Sequence, residues 1–140
     1  MTASIRTSVI RRPWHLWVAA ALTAAIYLGD ARDYLALDQS GPGGIAYFAD
    51  YPVALHAVWM VDITAGLVAP CLLLALSRWA VPVAAVAAAA QAVLLVVTFG
   101  FGDRWDALGA ATSWFDLGIG VVAVLFAGYC WAMRRRNLLS

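Results

Sequence analysis

Four long apolar stretches, separated by short polar links, constrain the fold of this chain more than any other feature. They cover about residues 14–28, 52–76, 81–101 and 108–133. Each approaches the ~20 residues that an α-helix needs to cross a bilayer. Strands of a membrane barrel are shorter and alternate in polarity, which these stretches do not. The pattern predicts four helices, at about residues 14–37, 52–77, 81–102 and 108–133.

The chain carries too little polar surface for a water-soluble domain. Of its 140 residues, 64% are hydrophobic and 12% are charged, against about 45–50% and about 25% in soluble domains. We therefore predict an all-α membrane protein, a single four-transmembrane-helix bundle of residues 1–140 with the lipid bilayer as a partner. A net charge of +1, with no basic patch interleaved with aromatics, argues against nucleic-acid binding.

Arginine placement predicts the orientation of the bundle. Short links favour an up-down-up-down arrangement, which brings both termini to one side of the membrane. That side would hold seven arginines and the other side two; the first group is Arg6, Arg11, Arg12, Arg78, Arg134, Arg135 and Arg136, and the second is Arg32 and Arg104. Because positive charge accumulates on the cytoplasmic side, we expect cytoplasmic termini and a multi-pass location in the cell's inner membrane.

Tryptophan placement agrees with this arrangement. Six of the seven tryptophans fall near the ends of the apolar stretches, where tryptophan is enriched at membrane–water interfaces; they are Trp14, Trp17, Trp79, Trp105, Trp114 and Trp131. Trp59 is the exception, because it lies one or two turns inside the second stretch. It is therefore the one tryptophan that this pattern does not place at a membrane–water interface.

Asp62 is the most unusual residue of the apolar stretches. It lies only ~5 Å from the midpoint of the second predicted helix at 1.5 Å per residue, and no arginine lies at a comparable depth. Ionisable groups at such a depth are rare and commonly functional. Asp62 either couples solute movement to a proton or cation, or contacts a ligand, or stabilises the bundle by hydrogen bonding across helices.

Three other polar residues lie towards the predicted outer side. Asp30, His56 and Asp116 are at depths that would let them meet in an outward-facing polar pocket, with Trp59 at its opening. The alternative is a structural role for each of them. Asp30 and Asp116 would then border their helices at the headgroups, and His56 would be a buried histidine with its hydrogen bonds satisfied.

A second group of polar residues lies nearer the membrane centre. Gln91 and Thr23 are close to the midpoints of the third and first helices, and Tyr27 lies one turn outward of Thr23. Together with Asp62 they would form a polar seam between helices. Structural hydrogen bonding is the alternative for this group too.

The sequence carries no recognisable catalytic or cofactor motif. It has no glycine-rich phosphate loop, and His15 and His56 fall on opposite sides of the membrane, so they cannot hold one haem together. Cys71 and Cys130 stand alone, without a C-x-x-C pair. We therefore expect a protein that is not an enzyme and has no cofactor and no metal site.

Short motifs spread over most of the chain occur together in one known family. They are Arg12-Pro13-Trp14-His15-Leu16-Trp17, Asp33-Tyr34, Tyr47-Phe48, Trp59, Gly66, Leu72-Leu73-Leu74, Arg78-Trp79-Ala80-Val81-Pro82 and Met133-Arg134-Arg135-Arg136. The chain thereby resembles the short four-helix membrane proteins, mainly of proteobacteria, that are often automatically labelled "sugar transporter". This resemblance implies a four-helix membrane fold and solute transport. Members tend to have a small or apolar residue where this chain has Asp62.

Three functional hypotheses remain open. The first is a transporter, or a transporter subunit, for a small solute; it would be a homo-oligomer, because four helices are few for alternating access. The second is a non-catalytic structural or accessory subunit of a larger membrane protein complex. The third is a redox or quinone-linked subunit, against which the absent haem ligands count. The surroundings of Asp62 discriminate between the first two, because a bond to Gln91 or Thr23 favours structure.

Overall fold

The computed structural model describes residues 11–35, 52–102 and 104–140. Four helices form most of this part of the chain: α1 is Trp14–Leu35, α2 is Val53–Leu74, α3 is Ala80–Phe101 and α4 is Arg104–Arg135. The all-α prediction is confirmed. Arg6, the motif Tyr47-Phe48 and the predicted end of the first helix at residue 37 lie outside the described residues.

Three of these helices are long and apolar enough to cross a membrane. Over the described residues they are α2, α3 and the Gly109–Arg135 part of α4. α1 has the same length as α2, but it carries Asp30, Arg32 and Asp33 in its last two turns. The described part of the chain thus has three helices that could cross a membrane, and a fourth crossing by α1 remains a prediction.

The interior is built from side chains of all four helices. Near one end, Leu16, Leu73, Ala84 and Phe126 belong to one buried cluster. A second cluster contains Tyr27, Ala65, Ala87, Ile119 and Ala123, and a third contains Trp59, Ile63 and Leu94. The most extensive packing joins α2 to α3, and the least extensive of the main pairs is between α1 and α4.

The tryptophans divide as their positions predict. Trp59 is only 5% exposed. The six others are exposed on the outer surface of the bundle: Trp14, Trp17, Trp79, Trp105, Trp114 and Trp131. Leucine and valine side chains of every helix share this outer surface, which therefore has the apolar character of a surface that faces lipid.

α2 ends at Leu74 rather than at residue 77 because Leu76 takes up the left-handed backbone conformation, with φ of 56°. The Leu76 N–H donates to the Leu73 carbonyl and the Ser77 N–H to the Leu72 carbonyl, each at 2.9 Å. This is the bonding pattern that closes a helix around a left-handed residue. Leucine rarely adopts the left-handed conformation, so the sequence pattern predicted the end of α2 three residues too late, at residue 77 instead of Leu74.

α4 begins at Arg104, earlier than the predicted residue 108, and contains a break. Gly109 has φ of 79° and ψ of 170°, which no residue inside an α-helix adopts. Glycine reaches this conformation without the steric penalty of a side chain. The break separates a short first segment from the apolar span that follows it.

The end of α4 and the link between α2 and α3 lie together at one end of the bundle. The Ser140 N–H donates to the Leu76 carbonyl at 2.9 Å, and the Arg78 N–H donates to the Ser140 carbonyl at 3.0 Å. Leu139 is buried in the cluster at that end. These contacts hold residues 138–140 against the α2–α3 link.

Candidate functional site

Two buried carboxyls face each other between α1 and α2. The Tyr27 hydroxyl donates to Asp62 Oδ1 at 3.3 Å, and Trp59 Nε1 donates to Asp30 Oδ1 at 3.0 Å. Each helix contributes one acid and one donor three residues apart, a spacing that puts both on the same helix face. All four side chains are buried. We call Tyr27, Asp30, Trp59 and Asp62 the carboxyl cluster.

Asp62 is the most enclosed member of the carboxyl cluster. Its side chain is 0% exposed, and its second oxygen, Oδ2, has no hydrogen-bond partner among the described residues. Asp30 is close enough for the two carboxyls to interact electrostatically. Two carboxylates repel strongly in an apolar interior. The cluster is therefore chemically suited to hold a proton or a small cation.

Gly66 makes the Tyr27–Asp62 contact geometrically feasible. It lies one turn after Asp62 on α2, and a Cβ atom built on it would overlap the Tyr27 ring. The missing side chain lets the ring lie against the α2 backbone, from where its hydroxyl reaches Asp62. Pro70 follows one turn later, so the Gly66 carbonyl also lacks its usual helical N–H donor.

His56 lies in an aromatic group next to the carboxyl cluster. The Tyr34 ring is edge-on to Trp59, with 4.8 Å between ring centroids, and edge-on to His56, with 6.2 Å. Tyr34 was noted only in the Asp33-Tyr34 motif and was not among the predicted site residues. The signal for a site role was its position seven residues after Tyr27, a spacing that repeats on one helix face.

The other predicted site residues form a separate contact between α3 and α4. Gln91 Nε2 donates to the backbone carbonyl of Asp116 at 3.2 Å, and both residues are buried. Asp62 is bonded to Tyr27, which is one of the residues of the predicted polar seam, whereas Gln91 is bonded to Asp116 on α4. The structure thus divides the predicted residues between two sites.

Further buried polar groups were missed by the sequence analysis. The Thr98 hydroxyl donates to the Leu94 carbonyl of its own helix at 2.6 Å. Ser113 is fully buried, and its hydroxyl has no hydrogen-bond partner within the described ranges. At the opposite end of the bundle, the half-buried side chains of His15 and Tyr129 form a hydrogen bond between His15 Nδ1 and the Tyr129 hydroxyl. Their polarity within apolar stretches was the available signal.

The carboxyl cluster is packed rather than open. Two surface pockets, of about 560 Å³ between α2 and α3 and about 230 Å³ beside Arg78, are lined by other residues. Across the described part of the chain, no three His, Cys, Asp or Glu side chains are grouped so that they could hold a metal ion. Asp62 lines neither of these two pockets, and its side chain has no exposed surface.

Three apolar helices, a lipid-like outer surface and interior acids define the class of this molecule as a helical membrane protein with a buried carboxyl cluster. Comparison with models of known families, with characterised proteins and with solved structures finds no match to this chain. Its function is therefore inferred from its own residues and their geometry.

We expect the Trp59→Phe variant to lose about 1 kcal/mol of stability. Phenylalanine keeps a ring against Tyr34 but removes the N–H donor that Asp30 accepts from. Thermal unfolding in detergent measures the change. Trp114→Phe is the matched control, because Trp114 is 66% exposed. Equal losses in both variants would mean that the Asp30 bond adds no stability.

Proposed function

We propose that this protein is a transporter, or the transporting subunit of a larger assembly, for a small solute, and that Asp62 is its coupling carboxyl. One observation carries the proposal. Asp62 is fully buried in an apolar span, is held at one oxygen by Tyr27, and has no partner for its other oxygen among the described residues. Ionisable side chains in such surroundings commonly mark proton or ion pathways.

The proposed topology is four transmembrane helices arranged up-down-up-down. The two bonds of the carboxyl cluster support it, because they join Tyr27 to Asp62 and Asp30 to Trp59, so residue numbers rise along α1 as they fall along α2. Asp30, one of the two acids of α1, is buried in the bundle. The unequal placement of the arginines supports cytoplasmic termini and an inner-membrane location.

The geometry supports a coupling mechanism in which the two acids share one positive charge. Asp62 Oδ2 is the atom that would hold the proton or cation, and Tyr27 fixes the other oxygen. Binding relieves the repulsion between Asp62 and Asp30, and release restores it. The change in repulsion would bias the packing of α1 against α2, whose separation opens the cluster.

Four helices offer few elements for alternating access, so we propose a homo-oligomer or a complex with a larger membrane protein as the working unit. No chemical transformation is proposed, and the protein is assigned no enzymatic role. The resemblance to the four-helix family makes sugars the first solutes to test, together with monovalent cations.

The test is a thermal-stability scan of wild type and Asp62→Asn in detergent, across pH and with sugars and cations as probes. A ligand that binds only the folded protein at a hundred times its dissociation constant stabilises it by about 2.7 kcal/mol. We expect wild type to show such a response and Asp62→Asn to lose it while remaining folded. The exposed acid Asp106 provides the control variant Asp106→Asn, which should respond like wild type. A response shared by all three proteins contradicts a coupling role.

The second candidate function is a non-catalytic structural or accessory subunit. The observation that favours it is that the carboxyl cluster is closed, hydrogen-bonded and absent from the lining of both pockets. In that case Asp62→Asn would change baseline stability alone, with no ligand response in any variant. Solute flux into liposomes, measured for wild type and for Asp62→Asn, separates the two functions directly.

A further inference from the structure

Two surface pockets meet at the end of the bundle where the α2–α3 link lies. The larger, about 560 Å³, is an apolar groove between α2 and α3. The smaller, about 230 Å³, is lined by Arg78, Trp79, Pro82 and Arg134. Trp79 and Pro82 line both pockets. The two therefore form one continuous depression, basic at one end and apolar along the rest.

The basic end is held in place by the fold. The Arg78 backbone N–H bonds to Ser140, which fixes the α2–α3 link against the end of α4 and so brings Arg78 and Arg134 to one pocket. Arg78 and Arg134 are both exposed. The neighbouring Arg135 is engaged elsewhere, because its guanidinium stacks on Trp131 at 4.8 Å from the ring centroid.

The apolar part reaches from the α2–α3 link past the middle of α2. Its lining includes Pro82 to Val86 near the start of α3 and Met60 to Val68 on α2. The distance along α2 from Met60 to the helix end at Leu74 is about 21 Å at 1.5 Å per residue. The groove is therefore at least as long as one leaflet, which is about half of the ~30 Å hydrocarbon core. The exposed Trp79 lies between the groove and the arginines, where tryptophans mark the interface.

We propose that this depression binds one anionic phospholipid, with its phosphate between Arg78 and Arg134 and an acyl chain in the α2–α3 groove. Two guanidinium groups complement a phosphate, and basic pockets between transmembrane helices bind anionic headgroups. None of the four residues of the carboxyl cluster lines the groove. This lipid site is independent of the transport proposal, and either can fail alone.

The test is a titration of the detergent-solubilised protein with phosphatidylglycerol or with phosphatidylcholine of the same acyl chains, with bound lipid counted by native mass spectrometry. Wild type is expected to prefer phosphatidylglycerol. The double variant Arg78→Gln/Arg134→Gln is expected to lose about thirtyfold in that preference, from the attraction of two arginines. Val86→Trp, which fills the groove, is expected to weaken the binding of phosphatidylglycerol about tenfold.

Matched controls separate this site from general attraction between arginines and anionic lipid. Arg11→Gln/Arg12→Gln removes the same charge from exposed residues outside the depression, and Val124→Trp adds the same ring to an exposed position of α4. Both controls should bind lipid like wild type. Equal losses in the controls and the site variants overturn the proposal, and so does phosphatidylglycerol binding that survives Val86→Trp. Inorganic phosphate that competes as well as the lipid would also overturn it, by showing that the groove plays no part.

Discussion

Replacing Gly66 with alanine is expected to destabilise the bundle by about 1–3 kcal/mol, the usual penalty for overpacking a filled core. The added methyl group would overlap the Tyr27 ring, which is buried and part of a core cluster with Ala65 and Ala87. A ring is rigid, so relief requires α1 and α2 to separate or Tyr27 to change rotamer. Either movement also draws the hydroxyl away from Asp62.

The cysteines of the chain provide the measurement. Cys130 is 0% exposed and Cys71 is exposed. In a Cys71→Ala background, a thiol-reactive dye labels Cys130 only as the protein unfolds, and the labelling midpoint on heating reports stability. The Gly66→Ala midpoint should fall clearly below that of its parent.

Two other glycines are matched controls for Gly66. A Cβ atom on Gly118 or Gly128 of α4 would meet nothing within 4 Å. Alanine favours a helix over glycine by up to about 1 kcal/mol, so these two variants should be as stable as their parent or slightly more stable. If Gly66→Ala is as stable as these two control variants, then Tyr27 does not pack closely against the α2 backbone at Gly66. Combining Gly66→Ala with Tyr27→Leu should recover part of the loss, because the smaller side chain vacates the overlapping space.

The second large effect is expected for Tyr27→Phe, at about 1–3 kcal/mol. This change removes a single hydroxyl and leaves the ring packing intact. Asp62 Oδ1 thereby loses the hydrogen bond that the Tyr27 hydroxyl donates, while the Asp62 carboxyl stays fully buried. A buried polar group left without a partner is more costly than the average hydrogen bond is worth.

A double-mutant cycle tests this explanation. Replacing both partners of a buried polar contact by apolar groups of similar shape is often close to neutral. Tyr27→Phe/Asp62→Leu should therefore be more stable than Tyr27→Phe alone, in the same Cys130 labelling assay. Strictly additive losses would show that Tyr27 and Asp62 do not interact. The same variants in the flux assay separate stability from transport, because a coupling acid cannot be replaced by leucine with flux retained.

Much of the architecture could be predicted from the amino-acid sequence. The four apolar stretches each have an observed helix, and the low charge excluded a soluble domain. Asp62 stood out because an ionisable group is rare at that depth, and Trp59 stood out because it lies away from the ends of its apolar stretch; both are buried. The ends of helices were harder to predict, because Leu76 and Gly109 have positive φ angles that the apolar pattern of the sequence does not reveal.

The partners inside the bundle could not be predicted in the same way. Asp62 was grouped with Gln91, Thr23 and Tyr27 by depth alone, but depth does not show which way each side chain points around its helix. The structure turns Asp62 towards Tyr27 and turns Gln91 towards Asp116. The role of Gly66 follows from that rotation, because the glycine acts only through the ring opposite it.

The contacts between helices could not be predicted because lipid, unlike water, does not distinguish the apolar faces of a helix. In a water-soluble helix, the apolar stripe identifies the buried face. In α3 the outward Val86, Val93 and Val96 are more apolar than the buried Ala84 and Ala87, because lipid tails do not exclude apolar side chains as water does. The sequence by itself therefore determined the class, the number of helices and the residues that lipid would not tolerate. Only the tertiary structure decided which faces meet, because close packing and hydrogen-bond geometry, rather than hydropathy, select them.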